Sequence, residues 1–200
     1  MNTHFEVLFI GGGNAGLSAS AHLLLQKPNL KVGIIEPSSK HYYQPAWTLV
    51  GGGVYDIKDT EREEKDYIPK GATWLQEYAQ TFNPEKNSVT TKEGNTYTYD
   101  YLVVCPGIQL NWSAIKGLPE TLGKNGVTSN YSFKFAPYTF EILKNFKGGN
   151  ILFHSPHTPV KCGGAPQKIM YLAADYLRKH GLLEKSNVQF WSGGTKIFGV

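Results

Sequence analysis

The chain has 200 residues, 40% of them apolar and 18% charged, a balance that fits a folded globular protein and excludes disorder. A net charge of +4 suits an anionic cofactor, and without a long basic run it gives no reason to expect nucleic acid. Two cysteines are too few for a secreted disulfide scaffold, and no apolar run is long enough to span a membrane.

The first predicted element is the strand-like run "FEVLFIG". It follows Met1 so closely that no signal or transit segment is expected before it. The segment "VLFIGGGNAGLSASAHLL" then reads as an apolar strand, a glycine turn and a small-residue helix. Gly11, Gly13 and Gly16 have the G-x-G-x-x-G spacing of a dinucleotide turn. Gly11 allows the tight turn, Gly13 lets the backbone approach a pyrophosphate, and Gly16 lets the helix pack closely on the strand. The helix N-terminus offers N–H groups to the phosphates. A second strand, "KVGIIEP", ends at Glu36, twenty residues after Gly16, where an acid binds ribose hydroxyls. The acid favours an adenosine ribose without a 2′-phosphate, hence FAD or NAD over NADP.

Next comes "HYYQPAWTLVGGG", residues 41–53, read either as a loop that wraps a planar ring system or as a packed surface loop with buried aromatics. The charged run "DIKDTEREEKDYIPKG" reads as a solvated helix or lid face. "SVTTKEGNTYTYDYLVVCPG" predicts a hairpin. Its second strand is expected to start at a sheet edge, end buried, and finish at Gly107, where backbone can approach a ligand. Cys105 reads as a small buried residue.

The last third predicts a strand-loop-helix-strand unit. "GGNILFHSP" is a glycine turn and a buried-type strand, "VKCGGAPQKIMYLAADYLRKHGL" a loop and a helix, and "EKSNVQFW" the next strand. The helix is expected to carry an apolar stripe of Ile169, Tyr171, Leu172, Tyr176 and Leu177. In a nicotinamide domain the loop would carry its own glycine fingerprint. Here Pro156, Pro159, Lys161 and Cys162 occupy it, which argues against NADH at this position. A thiol just before a helix N-terminus, with Lys161 and Lys168 close in sequence, is expected to be acidified and reactive. His154 and His157 read as strand-end and loop residues, and without C-x-x-C spacing no metal site is expected. The end of the chain, "NVQFWSGGTKIFGV", has no polar tail, so the chain reads as the N-terminal part of a longer protein.

The segments "GGGNAGLSAS", "HYYQPAWTLVGGG", "YLVVCPGIQL", "IKGLPE" and "TPVKCGGAPQKIMYL" together resemble the sulfide:quinone oxidoreductases, closest to their mitochondrial-type branch. The resemblance covers essentially the whole chain and is most specific around Cys162. It implies an α/β fold: a Rossmann-like FAD-binding domain over 1–115, then part of a second, inserted nucleotide-type domain over 116–200. It matches Gly11, Gly13, Asn14, Ala15, Gly16, Glu36 and Gln44 to positions that contact FAD, and Ala79 to a backbone contact near the adenine. Gly107 is expected beside the FAD. Cys162 matches the first redox cysteine; Cys105 matches none, so the partner cysteine is expected outside this chain.

The implied reaction begins with a sulfur bridge between Cys162 and that partner. Sulfide attacks the bridge and leaves a persulfide. Two electrons reduce FAD and pass to a quinone, and the sulfane sulfur goes to glutathione, sulfite or sulfide. The expected location is peripheral, on the cytoplasmic inner face of a bacterial plasma membrane, or on the mitochondrial inner membrane in a eukaryote. Membrane contact is expected through regions absent from this chain, which by itself is not expected to complete a catalytic cycle. Two rival readings are a type II NADH:quinone dehydrogenase-like flavoprotein and a flavin- or nucleotide-binding fragment without catalysis.

Overall fold

The structure is a computed structural model that describes residues 3–195. Its contacts divide the chain into two compact units. One comprises the described residues up to Tyr42 together with Glu61–Gln109; the other comprises Tyr43–Thr60 and the described residues from Leu110 onward. The aromatic and glycine-rich stretch after Tyr42 therefore groups with the later residues.

The first unit is built on β1 (Thr3–Ile10), the predicted apolar strand, followed by α1 (Asn14–Gln26) and β2 (Val32–Ile35). The next strand in the chain, β3 (Lys40–Tyr42), belongs to a separate hairpin. Val7 and Phe9 pack on Leu17 and Leu24 of α1, while Leu8 and Ile10 face a second cluster with Ile35, Tyr97 and Tyr99. A strand covered on both faces needs this unbroken apolar run.

The second unit holds α2 (Trp47–Gly51), a short helix where a loop was expected. Trp47 is buried there, and its indole N–H donates to Thr60 Oγ1 at 3.1 Å. Back in the first unit, β4 (Glu61–Glu63) pairs antiparallel with β3. The charged run is thus no solvated helix. It forms a strand flanked by 3-10 turns, and it buries both Thr60 and Glu64.

The strands β5 (Ala72–Leu75), β6 (Ala79–Asn83), β7 (Ser88–Thr91) and β8 (Thr96–Val104) complete the main sheet of the first unit. Its order is β5-β2-β1-β8-β7-β6, with β5, β2, β1 and β8 parallel and β6 and β7 added antiparallel. The β7–β8 hairpin turns at Gly94, as predicted. Burial along β8 runs opposite to the expectation. Tyr97 and Tyr99 are buried, whereas Tyr101 is 71% and Val104 58% exposed. The reason is pairing: β7 pairs only with Thr96–Thr98, so the start of β8 lies between two strands and its apolar end pairs with β1 alone.

The second unit continues with α3 (Leu118–Thr121), α4 (Ala136–Asn145), β9 (Gly149–Ser155), α5 (Ala165–Lys179) and β10 (Ser186–Ser192). β9 and β10 pair in parallel, which gives the expected β-α-β unit. Leu143, Ala173 and Leu177 form its core, against Ile151, Phe153 and Val188. The stripe of α5 is Ile169, Ala173 and Leu177, spaced by four; Tyr171 lies off it at 66% exposure. β9 is also less buried than expected, with Leu152 55% exposed.

Candidate functional site

In the first unit, the ends of β1, β2 and β8 meet around the glycine turn. Gly11 sits between β1 and α1 with φ +105°, and a Cβ there would lie 2.4 Å from the carbonyl oxygen of Cys105. A Cβ on Gly16 would lie 2.0 Å from the Gly11 carbonyl oxygen, so the helix approaches the turn as closely as backbone permits. Gly13 differs: nothing stands within 4 Å of its missing Cβ. Gly13, Asn14 and Ala15 are exposed while Gly16 is buried. No side chain caps α1 and no acid stands in its first turn, so the leading N–H groups face outward as donors. Backbone donors at a helix start, beside an open glycine, suit an anionic pyrophosphate.

Glu36 follows β2. Its Oε2 accepts the Gly12 N–H at 2.8 Å and its Oε1 accepts the Ser38 N–H at 2.7 Å. Two such bonds hold the carboxylate against the turn and leave each oxygen a lone pair for a ribose hydroxyl. Gly107 has φ +77° and open space at its Cβ position, just beyond β8. Cys105 Sγ donates to the Gly11 carbonyl at 3.6 Å, and burial, with the Glu36 charge, raises its thiol above the ordinary range. Ala79 begins the edge strand β6 and packs on the cluster that holds Ile10 and Ile35. The first unit thus brings together the three glycines, Asn14, Ala15, Glu36 and Gly107, and the residues present fit the phosphate and ribose groups of an adenine dinucleotide.

Gln44 and Cys162 belong to the second unit. Gln44 opens a 3-10 turn ahead of α2. Cys162 is half-buried in the loop between β9 and α5, two residues before Gly164, the N-cap residue of α5. Its carbonyl accepts the Ala165 N–H at 3.3 Å and the Tyr131 hydroxyl at 2.7 Å. Lys161 holds its ammonium over the Tyr131 ring, 5.8 Å from the centroid. Burial lowers the Lys161 ammonium, against the Cys162 charge that favours it, and burial with the Cys162 charge raises the Tyr131 phenol, against the hydrogen bond to the Cys162 carbonyl. Tyr131 is a residue that sequence reasoning missed, since it lies 31 positions from the carbonyl it holds. Tyr131→Phe is expected to leave that carbonyl short of a donor at a cost of about 1 kcal/mol. In thermal unfolding this reads as a melting temperature lower by about 2–4 °C, with faster alkylation of Cys162.

Glu64 was also missed. It stands one residue beyond β4 in the first unit, 1% exposed, amid a run of carboxylates that nothing in the sequence separates from one another. Its Oε2 lies 3.2 Å from His41 Nδ1, and its Oε1 has no hydrogen-bond partner. Burial and the nearby Glu36 push its carboxyl up to about 7. Glu61 and Glu63, on the strand before it, take Lys40 between them.

Residues 5–138 match the family described as pyridine nucleotide-disulphide oxidoreductase. The chain belongs to that family. It is 53% identical over 197 residues to a protein of Dictyostelium discoideum named "Sulfide:quinone oxidoreductase, mitochondrial", and 44% identical over 197 residues to the protein of that name from Mus musculus. Each match covers 98% of this chain and 44% of the relative, so the chain spans less than half the length of these curated relatives. The solved sulfide:quinone oxidoreductase of Aquifex aeolicus superposes with a TM-score of 0.73 at 26% identity, over 95% of this chain and 43% of that one.

Proposed function

We propose that the chain is the N-terminal part of an FAD-dependent enzyme that oxidises sulfide and passes the electrons to a quinone. The observation that carries this reading is the β9–α5 loop. At the turn where a nicotinamide domain needs bare glycine backbone, this chain has Cys162, tied down through its carbonyl and followed by a helix N-terminus. The similarity to the named relatives extends across that loop.

FAD, when bound, supplies a two-electron acceptor that a quinone can reoxidise. The chain's own residues do the rest. Gly13, Asn14 and Ala15 offer backbone to the pyrophosphate, and Glu36 offers its carboxylate to the ribose. In the proposed cycle Cys162 is bridged to a cysteine outside this chain. Hydrosulfide attacks the bridge, one S–S bond forms as another breaks, and one cysteine keeps the added sulfur as a persulfide while the other leaves as a thiolate. The sulfane sulfur then moves to glutathione, sulfite or sulfide. The word "mitochondrial" in the relatives' names favours the mitochondrial inner membrane over a bacterial one as the location. No helix among the described residues is long and apolar enough to cross a membrane, and we assign peripheral contact to the part of the relatives' length that this chain does not span.

The test is a visible spectrum of the longest natural form of the protein before and after anaerobic sulfide, with NADH added to a parallel sample. Bleaching of the flavin band by sulfide and not by NADH is the expected result. Bleaching by NADH alone supports the dehydrogenase reading and removes Cys162 from the chemistry. Bound flavin indifferent to both leaves binding without catalysis.

A further inference from the structure

Among the described residues, Glu64 is the one acidic or basic side chain that is fully buried. It meets a second carboxyl at Gly12. From the point where a Gly12 Cβ would stand, Glu64 Oε1 is 2.5 Å away and Glu36 Cγ is 2.7 Å away. Gly12 is also the residue whose N–H donates to Glu36. Two acids pressed against one buried glycine cannot both carry full charge without severe repulsion. Glu36 has two backbone donors and half-exposed surroundings, so it keeps the charge. Glu64 has neither, and its Oε1 is an orphan. A buried carboxylate oxygen without a donor is costly; the carbonyl oxygen of a neutral acid is far less so.

We propose that Glu64 is a positioning residue of the nucleotide turn: it holds a proton behind Gly12, so that Glu36 alone carries the negative charge that receives the ribose hydroxyls of an adenine dinucleotide. This rests on the dinucleotide half of the function proposed above. Glu64 Oε2 faces His41 Nδ1 at 3.2 Å, and the His41 ring is held by stacking on Tyr67, 5.5 Å between centroids. The groups facing Glu64 are Glu36 from the end of β2 and His41 from β3; the raised Cys105 thiol at the end of β8 adds a neutral wall near Glu36. An ionised Glu64 would place a second negative charge beside the ribose and close to the phosphates. Binding of an anionic dinucleotide therefore favours the protonated acid, and affinity falls as pH rises through the carboxyl's value of about 7.

The probe is ADP-ribose, which carries the adenosine ribose and a pyrophosphate diester with no proton to lose between pH 6 and 8.5, titrated calorimetrically over that range into the flavin-free longest natural form of the protein and into its Glu64→Gln variant. The wild-type chain is expected to lose about tenfold in affinity across that range and to take up protons on binding at pH 7.5, read from two buffers of different ionisation enthalpy. Glu64→Gln, a neutral mimic of the same shape, is expected to match wild type at pH 6, to show no slope, and to take up no protons at this site. Equal slopes in the two proteins, weaker binding by Glu64→Gln at pH 6, or no proton uptake by wild type overturns the proposal while leaving the dinucleotide reading intact. Binding by neither protein at any pH overturns both. Should Glu64→Gln not fold, proton uptake by wild type still decides. Without ligand, the melting temperature of wild type is expected to fall from pH 5 to 8, because the folded state holds this proton more tightly than the unfolded chain. Glu64→Gln is expected to lack that part of the fall.

Discussion

Cys162→Ser is expected to retain bound flavin and to lose its bleaching by anaerobic sulfide, in the longest natural form of the protein. In the proposed cycle sulfide attacks a sulfur bridge at this position; a hydroxyl cannot form that bridge, and serine is not ionised at neutral pH, so neither thiolate nor persulfide can form there. Loss of a covalent nucleophile typically costs on the order of a thousandfold or more in rate. The substitution swaps Sγ for Oγ on a half-buried side chain, while the Tyr131 and Ala165 hydrogen bonds use the Cys162 carbonyl. The loop should therefore keep its shape, and melting temperature should stay within about 2 °C of wild type. Rapid-mixing absorbance measures the rate and thermal unfolding checks the fold. Sulfide bleaching at the wild-type rate in Cys162→Ser would remove this residue from the reaction and return it to a loop role. Cys105→Ser is the matched control, expected to bleach normally: its thiol is raised by burial and donates to Gly11.

The second and third glycines of the first turn are expected to separate folding from binding. A methyl at Gly16 meets the Gly11 carbonyl oxygen at 2.0 Å, and that oxygen is backbone between β1 and α1. Neither element can yield without losing the packing of Leu17 and Leu24 on Val7 and Phe9. Gly16→Ala is therefore expected to cost about 3 kcal/mol and to lower the melting temperature by roughly 6–12 °C. A methyl at Gly13 meets nothing within 4 Å, and the residue's φ of −66° is open to alanine. Its cost is confined to the poorer N-cap, within about 1 kcal/mol. That methyl fills the space proposed above for the pyrophosphate, so Gly13→Ala is expected to fold and yet bind FAD at least about tenfold more weakly, a loss of about 1.4 kcal/mol. Flavin retained per chain after desalting, beside a melting curve, measures both. Full flavin retention by Gly13→Ala would show that the phosphates do not lie over this residue.

The glycine turn was legible because its causes are local. Spacing, the apolar strand before it and the acid at Glu36 all lie within the first 36 residues, and each answers a backbone constraint that only one or two residue types satisfy. The β9–α5–β10 unit was legible for the same reason, since an apolar strand, a proline- and glycine-bearing loop and a helical apolar stripe need no distant partner to be read. The burial of β8 was misread because it depends on the length of β7, a neighbour across the sheet, and composition does not report a neighbour's length. The stripe on α5 was misread at Tyr171 because aromatic character says nothing about which face a residue occupies.

By itself the sequence determined the β1–α1–β2 glycine turn, the β7–β8 hairpin, and a β9–α5–β10 unit whose loop carries a cysteine in place of a second glycine fingerprint. Only the tertiary structure decided that Glu64, one carboxylate in a charged run, is buried against Gly12, and that the Tyr131 hydroxyl reaches the Cys162 carbonyl. Both depend on contacts between segments far apart in the chain. Burial of an acid or the aim of a hydroxyl is set by what the fold brings opposite it, and no local propensity encodes that.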